Sequence, residues 1–252
     1  MKIIAYALAY NERRLMPWFH RWMKHQGIEL FVLDNLSTDG TTEYLEEHGI
    51  RHRMVDTGGA FDLRPLLAAM QDQIHKDKPD WFIYASVDMF FVAAGMSIAR
   101  LIFHATEQGY NMIRTPQFTF YHTRVPDYVA PQYAKNPFLG NFHYRYNNLY
   151  TFISEYHPEV VIGPDRINRP DAQVLQPQNT VILEMNAGKS IEERMENLKR
   201  REKAWDKGLK KNLGYHYRIL AERAFIFPEK EQTDIRTQDG LYALFKKLQR
   251  LE

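Results

Sequence analysis

Acidic and amide side chains stand where three apolar runs stop. "KIIAYALAY" breaks off into Asn11-Glu12, "ELFVLD" ends on Asp34 and passes to Asn35, and "WFIYASVD" ends on Asp88. A carboxylate can hold a hard cation, take a proton, or accept hydrogen bonds from a sugar or base, and an amide both donates and accepts. Each tip alone is ordinary turn chemistry, because Asp, Asn, Ser and Gly end strands in many proteins. Together they imply more. In an open parallel sheet the carboxyl ends of the strands share one edge, and that edge is where such sheets bind ligands.

The elements that must position these residues alternate over the first 120 residues. "KIIAYALAY" predicts a strand, followed by a helix with Leu15, Trp18, Phe19, Trp22 and Met23 on one face. "ELFVLD" is a second strand, and the helix around 41–48 closes at Gly49, a favoured residue just past a helix end. "IRHRMVDT" is a weaker third strand, before a helix carrying Leu63, Leu66, Leu67, Met70 and Ile74. "WFIYASVD" is the fourth strand, before a helix with Ile98, Leu101, Ile102 and Ala105 that stops near Gly109; "YNMIRTPQFTFYHT" then returns to extended chain. The alternation predicts an α/β domain with a mostly parallel sheet flanked by helices on both faces.

Residues 121–180 break this rhythm. "YHTRVPDYVAPQYAKNPFLGNFHYRYNNLY" is rich in Tyr, Pro, Asn and Arg, and reads as a long surface layer whose aromatics stack on a ligand. Order returns in "GKSIEERMENLKRREKAW", where Ser190 and Glu193 have capping-box spacing, and in the amphipathic "LYALFKKLQRLE". No repeat or linker interrupts the 252 residues, so the expectation is a single domain over 1–252, with C-terminal helices.

Composition narrows the function. A formal net charge of +2 lacks the basic excess of a nucleic-acid binder. With no cysteine there is no disulfide, thiol nucleophile or zinc–thiolate site, which suits a reducing, cytoplasmic location. The N-terminus lacks the long apolar region of a signal peptide, and no run reaches the roughly 18 apolar residues of a membrane span.

The segment "AYNERRLMPWFHRWMKHQGIELFVLDNLSTDGTTEYL" resembles the opening of a family 2-type glycosyltransferase of the GT-A (Rossmann-like) fold. The likeness covers about the first 95 residues, through the Asn-Glu after strand one and the acidic tip running into Ser-Thr-Asp-Gly-Thr. It implies a nucleotide-sugar donor held by residues 1–120, and an acceptor-side layer with the C-terminal helices over 121–252. Asp34 would bond a base such as uracil, with Asn35 beside it, while Tyr10, Asn11 and Glu12 would line base and ribose. The family's Asp-x-Asp becomes "SVD", so Ser86 stands at the ribose-contacting place and Asp88 at the place that binds a divalent metal, Mn²⁺ or Mg²⁺. That metal offsets the charge of a departing nucleoside diphosphate. His216 in "GYHYR" is the candidate second ligand, with His143 as its rival, and Arg64 would face the diphosphate.

The resemblance implies an inverting enzyme, which needs a carboxylate to take the acceptor's hydroxyl proton. Asp127, Glu155, Asp165 and Asp171 are the candidates; Asp165 and Asp171, in "GPDRINRPDAQV", lie at a plausible distance past Asp88. Tyr121, Tyr128, Tyr133, Phe142 and Tyr144 could stack on sugar rings. The acceptor would be a hydroxyl on a glycan, a lipid-linked glycan or a protein, and "LYALFKKLQRL" would allow peripheral membrane contact. The alternative reading is a catalytically weak nucleotide-sugar or glycan-binding module, because Ser86 has displaced one acid. A nucleotidyltransferase is less favoured, since "AYNERR" is not a Gly-rich basic loop.

Overall fold

Strand β1 (Ile3–Ala9) is apolar or aromatic throughout and buried at every position, as a strand covered on both faces must be. The computed structural model describes residues 1–58, 62–121, 141–143, 149–163, 166–177, 180–184 and 232–234. After β1 come α1 (Met16–His25), β2 (Glu29–Asp34), α2 (Thr41–Glu47), β3 (Arg51–Met54), α3 (Leu63–Asp77) and β4 (Trp81–Ser86). Then follow β5 (Met89–Ala93), α4 (Ile98–Glu107), β6 (Met112–Tyr121), β7 (Asn141–His143) and β8 (Leu149–Glu155). The remaining strands are β9 (Val161–Ile162), β10 (Ile167–Asn168), β11 (Val174–Leu175), β12 (Thr180–Glu184) and β13 (Gln232–Asp234).

The first four strands pair in parallel in the order β4-β1-β2-β3. The path runs outward from β1 to β3, then returns across β1 to reach β4. Right-handed crossovers therefore set α1 and α2 on one face and α3 on the other. Leu66, Leu67, Met70 and Ile74 of α3 are buried, and the Tyr6 hydroxyl donates to Asp77 at 3.0 Å on that side. On the α1 side Phe19 meets Phe90 edge-on at 5.8 Å. Gly27, which follows α1, has φ +74°, and a Cβ there would stand 3.2 Å from that of Ala99 in α4, so both conformation and space favour glycine.

The sheet is mixed, where the alternation predicted a mostly parallel one. β8 runs antiparallel between β4 and β6, β5 antiparallel to β12, and β12 parallel to the outer half of β6. The extended strand predicted after α4 is β6, and it spans residue 120, so the sheet crosses the boundary drawn there between two halves. β5 was not expected: "MFFVA" continues the apolar run of β4, and only the turn at Val87-Asp88 separates the two strands. The helices expected near 190–205 and 241–251 lie outside the described residues. Among the described residues no helix is long and apolar enough to cross a membrane.

Candidate active site

The chain leaves β1 toward β2 on one side and reaches β4 on the other, so the strand order reverses between β1 and β4. In open sheets the crevice beyond the carboxyl ends at such a reversal is where ligands bind. Leu8 stands abreast of Leu33 and Ser86, and Ala9 abreast of Asp34. Past the strand ends the ladder continues, with Val87 N–H donating to Leu8 C=O at 3.1 Å and Asn35 N–H to Ala9 C=O at 2.9 Å. Tyr10–Glu12, Asp34-Asn35 and Ser86–Asp88 thus share one edge. Arg64 belongs to that edge as well, at the start of α3.

Several of these side chains build the wall of the crevice. Asp34 is fully buried: one oxygen accepts from Ser37 N–H at 3.2 Å and Ser37 Oγ at 2.5 Å, the other from Thr42 Oγ1 at 2.5 Å. The resemblance implied a base contact for this carboxylate; in the structure its oxygens tie its own loop to α2. Asn11 accepts from Thr38 N–H at 2.8 Å, while its own N–H donates to Ser37 Oγ at 2.9 Å. Glu12 N–H donates to Thr41 Oγ1 at 3.0 Å and Arg13 N–H to Asp39 at 2.9 Å. The loops after β1 and β2 are therefore stitched into one wall. Asn11 (φ 52°) and Leu36 (φ 54°) hold left-handed backbone there, which costs Leu36 of order 1–2 kcal/mol.

Asn35 is different. It is 4% exposed, its Oδ1 accepts from Thr57 Oγ1 at 2.8 Å, and its Nδ2 has no partner among the described residues. A buried donor left unsatisfied costs about 1–3 kcal/mol, which an acceptor atom of a ligand would recover. Asp88 is 7% exposed and closes the turn between β4 and β5, two residues past Ser86. Among the described residues no three His, Asp or Glu form a metal cage. The Asp88 carboxylate is a hard oxygen donor, which fits Mg²⁺ or Mn²⁺ when phosphates and water complete the coordination.

The other predicted residues scatter. Arg64 is exposed and bound twice by Asp62, at 2.8 and 3.1 Å. Glu155 pairs with Trp81, at the amino end of β4, on the sheet edge opposite Asp88. Asp171 is at that opposite edge too, since its C=O accepts from Asn111 just before β6, whose first residue stands abreast of Ser154. Both its carboxylate oxygens accept from Arg169, at 2.7 and 2.8 Å, and that hydrogen bonding holds its carboxyl below the ordinary range. The assignment of Asp171 as proton acceptor is corrected on both counts: it is on the wrong edge, and its proton affinity is depressed. Asp171→Asn is expected to leave turnover within about twofold of the wild type while weakening the hold on Arg169, as rate and melting measurements would show. Asp165, His216, Asp127, Tyr128, Tyr133 and Tyr144 lie outside the described residues, as do the side chains of Tyr121, Phe142 and His143.

One residue at the active edge escaped the sequence argument. Glu184 ends β12 directly opposite Met89, the residue after Asp88, and abreast of Thr119 in β6. Gln117 Nε2 donates to its carboxylate at 3.1 Å. Its signal in sequence was one acid ending the apolar "TVILE", the same signal that marked Asp34.

No protein-family model and no curated protein matches the chain. Among solved structures it is similar to S. aureus TarS 1-349, with 11% identity over 88% of this chain and 77% of that one, at TM-score 0.44. The longer S. aureus TarS matches at 14% identity and TM-score 0.40 over 52% of this chain, which spans only 24% of that one. TarS 1-349 in complex with UDP-GlcNAc matches at 13% identity and TM-score 0.38, over 52% of this chain and 38% of that one. Glucosyl-3-phosphoglycerate synthase from Mycobacterium tuberculosis matches at 18% identity and TM-score 0.36, over 61% of this chain and 56% of that one. The fold class stands on the strand order and register: α/β, with a curled mixed sheet and helices on both faces.

Proposed function

We propose that the chain is an inverting, metal-dependent glycosyltransferase that moves a sugar from a nucleotide-sugar donor to a hydroxyl acceptor. The observation that carries this reading is the placement, on one edge of the sheet, of a buried Asn35 donor with no partner among the described residues and of the Asp88 carboxylate. Asn35 Nδ2 donates to a carbonyl of the base, and the Asn11–Thr38 and Asp34–Ser37 bonds hold the loops against which base and ribose lie. Tyr10 and Glu12 line the same wall, and Ser86 offers its hydroxyl to the ribose. Asp88 holds a divalent cation on the diphosphate, where the cation neutralises charge on the departing nucleoside diphosphate. Arg64, once drawn from Asp62, adds a second positive charge at that edge. The glycan, lipid-linked or protein hydroxyl enters from the side of β5 and β12, and a cytoplasmic location goes with the cysteine-free chain.

A thermal-shift panel of UDP-, GDP-, CDP- and dTDP-sugars, with and without Mn²⁺, tests this reading. A donor at 100 times its Kd stabilises the fold by about 2.7 kcal/mol, or roughly 5–10 °C for a domain of this size. One base class is expected to shift the melt in a Mn²⁺-dependent way and to release nucleoside diphosphate on incubation. Binding without release would favour the non-catalytic module, whose motivating feature is the single carboxylate at the "SVD" tip. No shift with any nucleotide would sink both.

A further inference from the structure

A transferase needs a proton acceptor on the side from which the hydroxyl arrives, and the Asp171 and Glu155 carboxylates stand at the far edge of the sheet. The register of the smaller sheet supplies another. β5 leaves the Asp88 turn and runs antiparallel to β12, so Met89 and Glu184 form a direct cross-strand pair. Such pairs hold their Cα atoms about 4.5–5.5 Å apart. Glu184 therefore sits one strand away from Asp88 and on the flank opposite the wall built by the β1 and β2 loops. It is half-buried. The amide of Gln117 donates to one of its oxygens, Oε2, at 3.1 Å and so helps to orient the carboxylate. The Gln117 amide oxygen is buried and has no partner among the described residues.

We propose that Glu184 is the catalytic base, with Gln117 as its positioning residue; this rests on the transferase reading above. The acceptor oxygen attacks the anomeric carbon as its proton passes to Glu184. The new carbon–oxygen bond forms while the anomeric carbon–phosphate oxygen bond breaks, and that electron pair departs with the nucleoside diphosphate. Charge is balanced, since the carboxylate gains the proton that the hydroxyl loses. The sequence-derived candidate Asp165 is then not required for proton transfer.

The test uses the full chain and whichever nucleotide sugar the wild type hydrolyses, with water as acceptor and released nucleoside diphosphate as the readout. Glu184→Gln keeps the shape and can still accept from Gln117, but cannot take a proton. It is expected to bind the donor with wild-type affinity by calorimetry and to release nucleoside diphosphate at least ~100-fold more slowly. Gln117→Leu, which removes that donor, is expected to lower turnover about tenfold at unchanged donor affinity, and Gln117→Asn to recover part of the loss. Wild-type turnover together with Glu184→Gln turnover within a few-fold of it overturns the assignment while leaving the transferase reading intact. Loss of donor affinity in Glu184→Gln, at an unchanged melting temperature, also overturns it, because a base that meets only the acceptor does not bind the nucleotide. If the wild type neither binds nor hydrolyses any nucleotide sugar, the transferase reading fails and this assignment falls with it.

Discussion

Asp88→Asn is expected to lower turnover at least ~100-fold, equivalent to about 2.7 kcal/mol of transition-state stabilisation, while the fold melts close to the wild-type temperature. The substitution keeps the size of a side chain that is 7% exposed, and changes only its charge and one acceptor atom. A neutral amide is a poor ligand for a hard cation, so the gain in donor affinity on adding Mn²⁺ should vanish along with the rate. Calorimetry with and without Mn²⁺ separates the two effects. If chelation by EDTA leaves wild-type binding and turnover unchanged, the assignment of a metal to Asp88 is lost, and the leaving-group charge must be met by cations such as Arg64. Ser86→Asp adds a second carboxylate two residues away, and comparing its Mn²⁺ affinity with the wild type shows whether one acid suffices.

The second large effect is on folding. Asp34→Ala is expected to cost about 3 kcal/mol of stability, and so to lower the melting temperature by roughly 6–12 °C. The carboxylate accepts from one backbone N–H and two hydroxyls, and its removal leaves those donors without partners under the loop. Urea titration gives the stability, and nucleotide affinity measured on the folded fraction separates the loss of the wall from the loss of a contact. A melt within 2 °C of wild type (roughly 0.5–1 kcal/mol for a domain of this size), combined with a collapse of nucleotide affinity, would mean that the carboxylate turns outward to the ligand.

Asp34 also shows where sequence reasoning reached its limit. That β2 ends at residue 34 was legible, because an apolar run stops there and a Ser-Thr-Asp-Gly turn begins. The direction of the side chain was not, since turn chemistry and ligand chemistry select the same residue types. The parallel strands were readable from apolar runs alternating with helical faces, and Gly49 and Gly109, at φ 61° and 80°, end α2 and α4 as their positions suggested. Beyond Asp88 the period placed α4 and β6 but gave no guidance on how the later strands pair. β5 merges with the run before it, and β8 inserts between β4 and β6, a pairing of residues up to 74 apart in sequence that no local pattern encodes. Glu184 could be placed only once the register of β12 against β5 was known. Asp171 was misplaced for the same reason: proximity along the chain to the right region said nothing about which edge it would occupy.

At the far side of the sheet, β3 pairs with β2 alone among the described strands, which leaves a row of backbone donors and acceptors that another chain could extend. The formal net charge of +2 provides little general repulsion between molecules. This edge carries Arg51, His52 and Arg53 in succession. Asp77 pairs with Arg51 at 3.1 Å, so Arg53 supplies most of the charge that two copies would bring together edge to edge. Charge on an edge strand thus discourages pairing between copies without drawing on the residues of the candidate site.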